Sequence, residues 1–187
     1  MSLPYPIPTV YAEAYRRTAF YEGGYTKDPH DHGGATKYGC SLRYLKSLGQ
    51  LGDLDHDGDV DQDDIEALKP EDAIGFFYDS FWVPIGCSRI YSEHLQIKLF
   101  DSAVNAGPKR AMMWLQHAVN LWSPASPSVV AEDGAMGAAT AAAINSRPDH
   151  ELLMLMRGVQ AQFYLALVKQ DPTQEGFKLG WLRRAAT

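Results

Sequence analysis

EGGYTKDPHDHGGATKYG, residues 22–39, is the stretch around which the rest of the chain is organised. The apolar pattern before it predicts a helix from about Val10 to Tyr21, with Glu22 at its end and Gly23-Gly24 as a stop signal. The residues that follow are rich in Gly, Asp, His and Thr and lack an apolar period, so a loop or a small hairpin is expected. Because the negative end of a helix dipole disfavours a charged carboxylate, the pKa of Glu22 is expected to be raised, as a general acid requires.

Two further residues of this stretch complete a candidate catalytic group. Inverting glycoside hydrolysis needs a second, ionised carboxylate at about 6.5–9.5 Å from the acid to activate a water molecule. Asp31 in the returning loop is the candidate for that carboxylate, and the hydroxyl of Thr36 is the candidate for holding the water. The alternative is that Glu22 is a surface residue at a helix end and that Asp31 is a turn former.

The same residues resemble a known family. EGGYTKDPHDHGGATKYG is similar to the motif of glycoside hydrolase family 108, the N-acetylmuramidases found among phage endolysins and secretion-activating proteins. The order Glu22, Asp31, Thr36 also resembles the catalytic trio of phage-type lysozymes. The resemblance implies Glu22 as the catalytic acid, Asp31 with Thr36 as its partners, and hydrolysis of the β-1,4 bond between N-acetylmuramic acid and N-acetylglucosamine.

Four residues are predicted to contact the substrate: Tyr25, Tyr78, Trp82 and Asn105. Aromatic side chains beside a sugar site stack on pyranose faces, although most aromatic residues of a helix simply form the core. Asn105 lies in a segment that resembles the family's Phe-Asp-x-Ala-Val-Asn-x-Gly-Pro run. An Asn at a helix end also serves as a cap, so both roles stay open.

A second motif is DLDHDGDVDQDD, residues 53–64, which matches an EF-hand calcium loop in register. The predicted Ca²⁺ ligands are Asp53, Asp55, Asp57, Asp59, Asp61 and Asp64. Asp59 would contribute its backbone carbonyl, and Gly58 permits the sharp bend. The last ligand is an Asp, as in dockerin-like loops, and the ion is expected to be structural. The alternative is an acidic, solvated loop.

The helix-period patterns over the rest of the chain predict a mainly α fold, α+β at most and lysozyme-like. Helical lobes are expected around a substrate cleft, with a small β-hairpin near residues 25–39. The 187 residues are expected to form one lysozyme-like muramidase domain, with a catalytic part at 8–107 and a helical part at 108–187. Leu115-Gln116 and Asp133-Gly134 in the second part resemble the motifs of peptidoglycan-binding modules, although a packing turn within one fold explains the second motif equally well.

Composition limits the partners. A net charge of −6 and a pI near 5.4 argue against a nucleic-acid partner, and no apolar run is long enough for stable membrane insertion. The N-terminus shows no signal peptide, so cytoplasmic synthesis is expected. Action on peptidoglycan in the periplasm or cell wall then implies a holin or another export component. Cys40 and Cys87 are expected to be free thiols, and the protein is expected to be a monomer.

Two other functions fit the same residues. A lytic transglycosylase needs only the acid, because a hydroxyl of the sugar itself attacks. A calcium-dependent protein for cell-wall binding or secretion needs no chemistry at Glu22.

Overall fold

The computed structural model describes residues 6–22, 36–122 and 129–187, with only the backbone described at 20–22. The chain forms two compact units, Met1–Ser80 and Phe81–Thr187. The described residues are mainly helical and contain one antiparallel pair of short strands, which confirms the predicted mainly α, lysozyme-like fold. The boundary between the two units, after Ser80, comes earlier in the chain than residue 108, where the sequence predicted a division. The substrate cleft stays a prediction.

The first unit combines short helices with the hairpin. Its elements are α1 (Thr9–Glu22), β1 (Thr36–Lys37), β2 (Cys40–Ser41), α2 (Leu42–Ser47), a 3-10 helix (Gly49–Gly52), α3 (Gln62–Ala67) and α4 (Pro70–Phe77). Three residues with helix-starting chemistry mark where its later helices begin. Ser41 caps α2 by accepting a hydrogen bond from the backbone N–H of Tyr44, Asp61 caps α3, and Pro70 opens α4 in the first helical position.

The second unit is a helical bundle that begins within a π-helical turn (Tyr78–Trp82). Its elements are a 3-10 helix (Cys87–Arg89), α5 (Glu93–Ala106), α6 (Pro108–Trp122), α7 (Ala138–Asn145), α8 (Asp149–Gln170), a 3-10 helix (Pro172–Phe177) and α9 (Lys178–Ala186). The central helix is α8, which packs against α5, α6 and α9. Its buried residues include Leu152, Met156 and Val168.

Both cysteines are buried free thiols, as expected from their number. Burial raises the pKa of Cys40 to about 12, so its thiol is neutral at physiological pH. None of the helices in the described ranges has the length and hydropathy that a membrane span requires.

Candidate functional site

Helix α1 is fixed against α4 by aromatic side chains. The hydroxyl of Tyr11 donates a hydrogen bond to the carbonyl of Ile74 at 2.5 Å, and its ring meets that of Tyr78 edge to face at 4.8 Å. Tyr15 makes a second edge-to-face contact, with Phe77, at 5.6 Å. Because Tyr11 and Tyr15 lie one turn apart on the same face of α1, these contacts fix the direction of the helix and therefore where the backbone of Glu22 lies within the first unit.

The hairpin carries Thr36 and is tied to the same helix. Thr36 pairs with Ser41, and the connecting residues Tyr38 and Gly39 have φ values of 54° and 82°. Two consecutive positive φ angles are what a type I′ hairpin turn requires. The hydroxyl of Tyr15 donates a hydrogen bond to the carbonyl of Tyr38 at 3.2 Å. Since Tyr15 lies two helical turns before Glu22, roughly 10 Å along the axis, one helix positions both the acid and the hairpin.

Three predicted site residues lie outside what the structure describes. They are the side chain of Glu22 and the whole of Tyr25 and Asp31. The backbone of Glu22 is the last residue of α1, and Thr36 is the first residue of β1, with a half-buried side chain. The separation of the two carboxyl groups therefore stays a prediction.

The predicted substrate contacts differ in exposure. Tyr78 is half-buried against Tyr11, whereas Trp82 is only 2% exposed and packs on Phe100 with ring centroids 5.8 Å apart. This burial favours a core role for Trp82. Asn105 lies in the last turn of α5, and its side-chain oxygen accepts a hydrogen bond from the hydroxyl of Tyr164. The contact with Tyr164 gives Asn105 a structural role, and its role towards substrate stays a prediction.

The acidic loop coils so that its first three alternate Asp residues converge. Carboxylate oxygens of Asp53, Asp55 and Asp57 all lie within 4.8 Å of one another. Backbone N–H groups of the loop hold them: Gly58 donates to Asp53 at 3.2 Å, and the amide of Asp57 donates to Asp55 at 3.2 Å. Gly58 has a φ of 105°, which a residue with a side chain adopts only under strain.

Asp64 closes the loop from the first turn of α3. It is only 1% exposed and accepts backbone hydrogen bonds from Leu54 at 2.5 Å, Asp55 at 3.4 Å and Asp61 at 2.7 Å. Burial raises the pKa of Asp64, but these hydrogen bonds together lower it, so the carboxylate is charged. A carboxylate has about four lone-pair positions, so these bonds leave capacity for a cation.

The carboxylates in the middle of the acidic loop repel one another. The neighbouring carboxylates of Asp57 and Asp61 raise the pKa of Asp59, because each added negative charge disfavours the next. Burial is the main cause of a raised pKa at Asp55, and the charge of Asp57 adds to it. A divalent cation would relieve this repulsion.

The motif of the second unit forms a turn that a buried side chain holds. The side-chain amide of Gln116 donates to the Asp133 carboxylate at 2.8 Å and to the carbonyl of Ala135 at 3.0 Å, and its oxygen accepts from the N–H of Gly134 at 2.8 Å. Gly134 has a φ of 80°, and a Cβ there would come within 2.5 Å of the Lys109 side chain. These contacts give Gln116 and Asp133-Gly134 a structural role in the turn, and a role of the motif in binding peptidoglycan stays a prediction.

Sequence reasoning missed one group of polar residues in the second unit. Tyr91, Asn145, Arg147 and Asp149 line a common pocket, although they come from the start of α5, the end of α7 and the start of α8. No motif signals this group, because its members are dispersed along the sequence. The opposite charges at 147 and 149 are the sequence feature that hints at the group.

The described residues thus form a mainly helical, lysozyme-like fold with a hairpin tied to the helix that ends at Glu22. Residues 15–107 match the family model described as Glycosyl hydrolase 108, and residues 110–186 match the one described as Predicted Peptidoglycan domain. The chain belongs to the glycosyl hydrolase 108 family, with the peptidoglycan domain following the hydrolase region as the resemblance implied. Together the two regions make the protein a peptidoglycan hydrolase.

A solved structure has the same fold. The structure of Brucella abortus SagA superposes with a TM-score of 0.72 at 25% sequence identity, over 94% of this chain and 89% of that chain. Among curated proteins, none matches the sequence.

Proposed function

We propose that the protein is a lysozyme-type N-acetylmuramidase, which hydrolyses the β-1,4 bond between N-acetylmuramic acid and N-acetylglucosamine. The observation that carries the proposal is the position of Glu22 as the last residue of α1 within the glycosyl hydrolase 108 region. At this position the negative end of the helix dipole disfavours a negative charge, which favours the protonated form that a general acid needs.

In the proposed reaction, Glu22 transfers its proton to the glycosidic oxygen as the bond to the anomeric carbon breaks. Asp31 accepts a proton from a water molecule whose oxygen attacks the anomeric carbon, and the hydroxyl of Thr36 orients that water. The tie between Tyr15 and the hairpin supports this arrangement, because it fixes Thr36 relative to the helix that ends in Glu22. Afterwards both carboxyl groups return to their starting states by proton exchange with solvent.

The products test the reaction directly. Purified peptidoglycan is digested, and the fragments are analysed by mass spectrometry with and without borohydride reduction. We expect N-acetylmuramic acid at the new reducing ends, with one water added per cleaved bond. Anhydro-muramic ends would show that the protein is a lytic transglycosylase instead. Peptidoglycan that stays uncleaved would indicate a cell-wall-binding protein with no hydrolytic activity.

We further propose that the loop at residues 53–64 binds one structural Ca²⁺ ion. One oxygen of Asp53, Oδ1, is buried and has no hydrogen-bond partner among the described residues, which is costly unless a cation occupies the space it faces. The convergence of Asp53, Asp55 and Asp57 supplies the all-oxygen ligand set that Ca²⁺ prefers. Asp59, Asp61 and Asp64 are the remaining proposed ligands, with Asp59 acting through its carbonyl.

Calcium should therefore raise the thermal stability of the protein. At a calcium concentration about 100 times the Kd, binding to the folded state alone contributes about 2.7 kcal/mol, which raises Tm by roughly 5–10 °C. We expect this increase in differential scanning fluorimetry of the wild type after chelation and re-addition of Ca²⁺, and its loss in Asp55→Asn.

Asp63→Asn is the matched control, because Asp63 is an exposed neighbour outside the proposed ligand set and the change in charge is the same. Its calcium-dependent shift should equal that of the wild type. The calcium site would be ruled out if added calcium left the Tm of the wild type unchanged, or if it raised the Tm of Asp55→Asn as much as that of the wild type.

A further inference from the structure

A pocket of about 400 Å³ opens on the surface of the second unit. Its walls come from the N-cap of α5 (Ser92), the end of α7 (Ile144, Asn145) and the start of α8 (Pro148, Asp149). This volume is in the range of pockets that bind small molecules or short peptide segments. The pocket is separate from the Glu22 helix and the calcium loop, which belong to the first unit.

The pocket presents a fixed positive charge on one side. The Arg147 guanidinium donates to the carbonyl of Ala143 at 2.5 Å and lies over the ring of Trp122 at 5.2 Å. The indole N–H of Trp122 in turn donates to Glu151 at 2.5 Å. Within the described part of the chain, Nε of Arg147 has no hydrogen-bond partner. Because this Nε is buried, a ligand in the pocket can reach only the terminal nitrogens of the guanidinium. Among the described residues no acidic side chain pairs with Arg147, so its charge is available to a carboxylate ligand.

A fixed negative charge stands on the other side. Asp149 accepts a hydrogen bond from the hydroxyl of Ser92 at 2.8 Å and from the N–H of His150 at 2.8 Å. These bonds, with His94 and His150 nearby, lower the pKa of Asp149 and keep it ionised. The two bonds use only part of the carboxylate's lone pairs, so the group can still accept a bond from a ligand's ammonium group.

An exposed aromatic ring stands at the rim. The backbone N–H of Tyr91 donates to Asn145 at 2.9 Å, and the Asn145 amide donates to the carbonyl of Arg89 at 2.8 Å. The backbone at Tyr91 is thus anchored, while its side chain is 83% exposed. Leu95, Ile144 and Pro148 provide apolar surface in the same pocket.

We propose that this pocket binds the peptide stems of peptidoglycan, with Arg147 pairing with a carboxylate of the stem and Asp149 with its ammonium group. This proposal rests on the proposed function, in which peptidoglycan is the substrate. Opposite charges in one small pocket select a zwitterionic ligand. Stem peptides that contain a diamino acid carry both free carboxylates and a free amine, whereas the amino-sugar backbone without its peptides carries only the lactyl carboxylate of N-acetylmuramic acid and no free amine. The glycan chain is therefore the weaker candidate.

Binding is tested in the full chain carrying Glu22→Gln, so that turnover does not consume a ligand. The probes are the synthetic tetrapeptide L-Ala–γ-D-Glu–meso-diaminopimelate–D-Ala and, separately, chitotetraose, each titrated by calorimetry. We expect the tetrapeptide to bind and its Kd to rise about tenfold or more in Arg147→Gln, because a charge-assisted bond is lost. Asp149→Asn keeps the acceptor for Ser92 but loses the charge, and should weaken binding to a similar extent.

Arg183→Gln is the matched control, since it removes one positive charge at an exposed site outside the pocket. Its Kd should equal that of the unsubstituted pocket. Absence of tetrapeptide binding, or unchanged binding in Asp149→Asn, overturns the proposal even if Arg147→Gln fails to fold. Binding of chitotetraose that is lost in Arg147→Gln, without tetrapeptide binding, would assign the pocket to the glycan instead. Failure of the muramidase proposal is seen separately, as unaltered cleavage by Glu22→Gln.

Discussion

Replacing Glu22 by Gln should lower the rate of peptidoglycan hydrolysis by about 10²- to 10⁴-fold, the contribution that a positioned general acid makes. Gln has nearly the same shape as Glu but has no proton to transfer to the leaving oxygen. Since Glu22 is the last residue of α1, the substitution falls where the helix already ends and should leave the unfolding temperature almost unchanged. The rate is measured as release of reducing ends from purified peptidoglycan and as loss of turbidity in permeabilised Gram-negative cells.

Glu13 provides a matched control on the same helix. It is paired with Arg16 at 2.9 Å and with Arg17 at 2.6 Å, and hydrogen bonds from these arginines lower its pKa to about 2. Glu13 is therefore ionised at any working pH and has no proton to give. We expect Glu13→Gln to keep the wild-type rate. Hydrolysis at the wild-type rate in Glu22→Gln would remove Glu22 from the mechanism.

The sequence predicted best what depends on neighbouring residues. The start of α4 at Pro70 and the cap of α5 at Ser92 follow from local chemistry, because a Pro in the first turn and a Ser at the N-cap are both signals of a helix start. The turn at Gly58 is similar, because a calcium-loop motif specifies its backbone within a few residues.

The sequence could not show the contacts that join distant segments. The bond from Tyr15 to the carbonyl of Tyr38 depends on how a hairpin lies beside a helix, and a Tyr gives the same pattern whether it packs or donates. The turn held by Gln116 is likewise visible only once α6 and residues 133–135 are adjacent. Trp82 shows the converse, since an aromatic residue beside a predicted sugar site turned out to be a core residue.

The last helix is also attached by contacts between distant segments. Trp181 stacks on Tyr164 with ring centroids 5.2 Å apart, which attaches α9 to α8. Three residues later, Arg184 reaches Asp101 of α5: its Nε lies 3.1 Å from one carboxylate oxygen, and its Nη2 lies 2.9 Å from the same oxygen. Arg184 and Asp101 are each 7% exposed, so this ion pair lies in the core of the second unit.

Arg184→Met should therefore destabilise the second unit strongly. Removal of one partner leaves Asp101 as an uncompensated charge in a buried site, which costs about 3–5 kcal/mol. Lys98 is not expected to replace the arginine, because its Nζ already donates to the carbonyls of Arg184 at 2.8 Å and Ala185 at 3.0 Å. Burial lowers the pKa of Lys98 to about 8, because desolvation disfavours its charged form. Thermal unfolding followed by circular dichroism should show a Tm lower by roughly 10 °C.

The double substitution Asp101→Leu with Arg184→Met separates loss of the charge partner from loss of packing. Replacing both members of a buried ion pair by apolar residues of similar volume is often neutral or stabilising, so the double variant should recover most of the Tm that the single variant loses. Arg183→Met, at the exposed neighbouring position, should change the free energy of unfolding by less than about 0.5 kcal/mol. If Arg184→Met unfolds at the wild-type temperature, or if the double variant is no more stable than the single one, the buried pair does not hold α9 to α5. In that case the stacking of Trp181 on Tyr164 would be the contact that attaches the last helix.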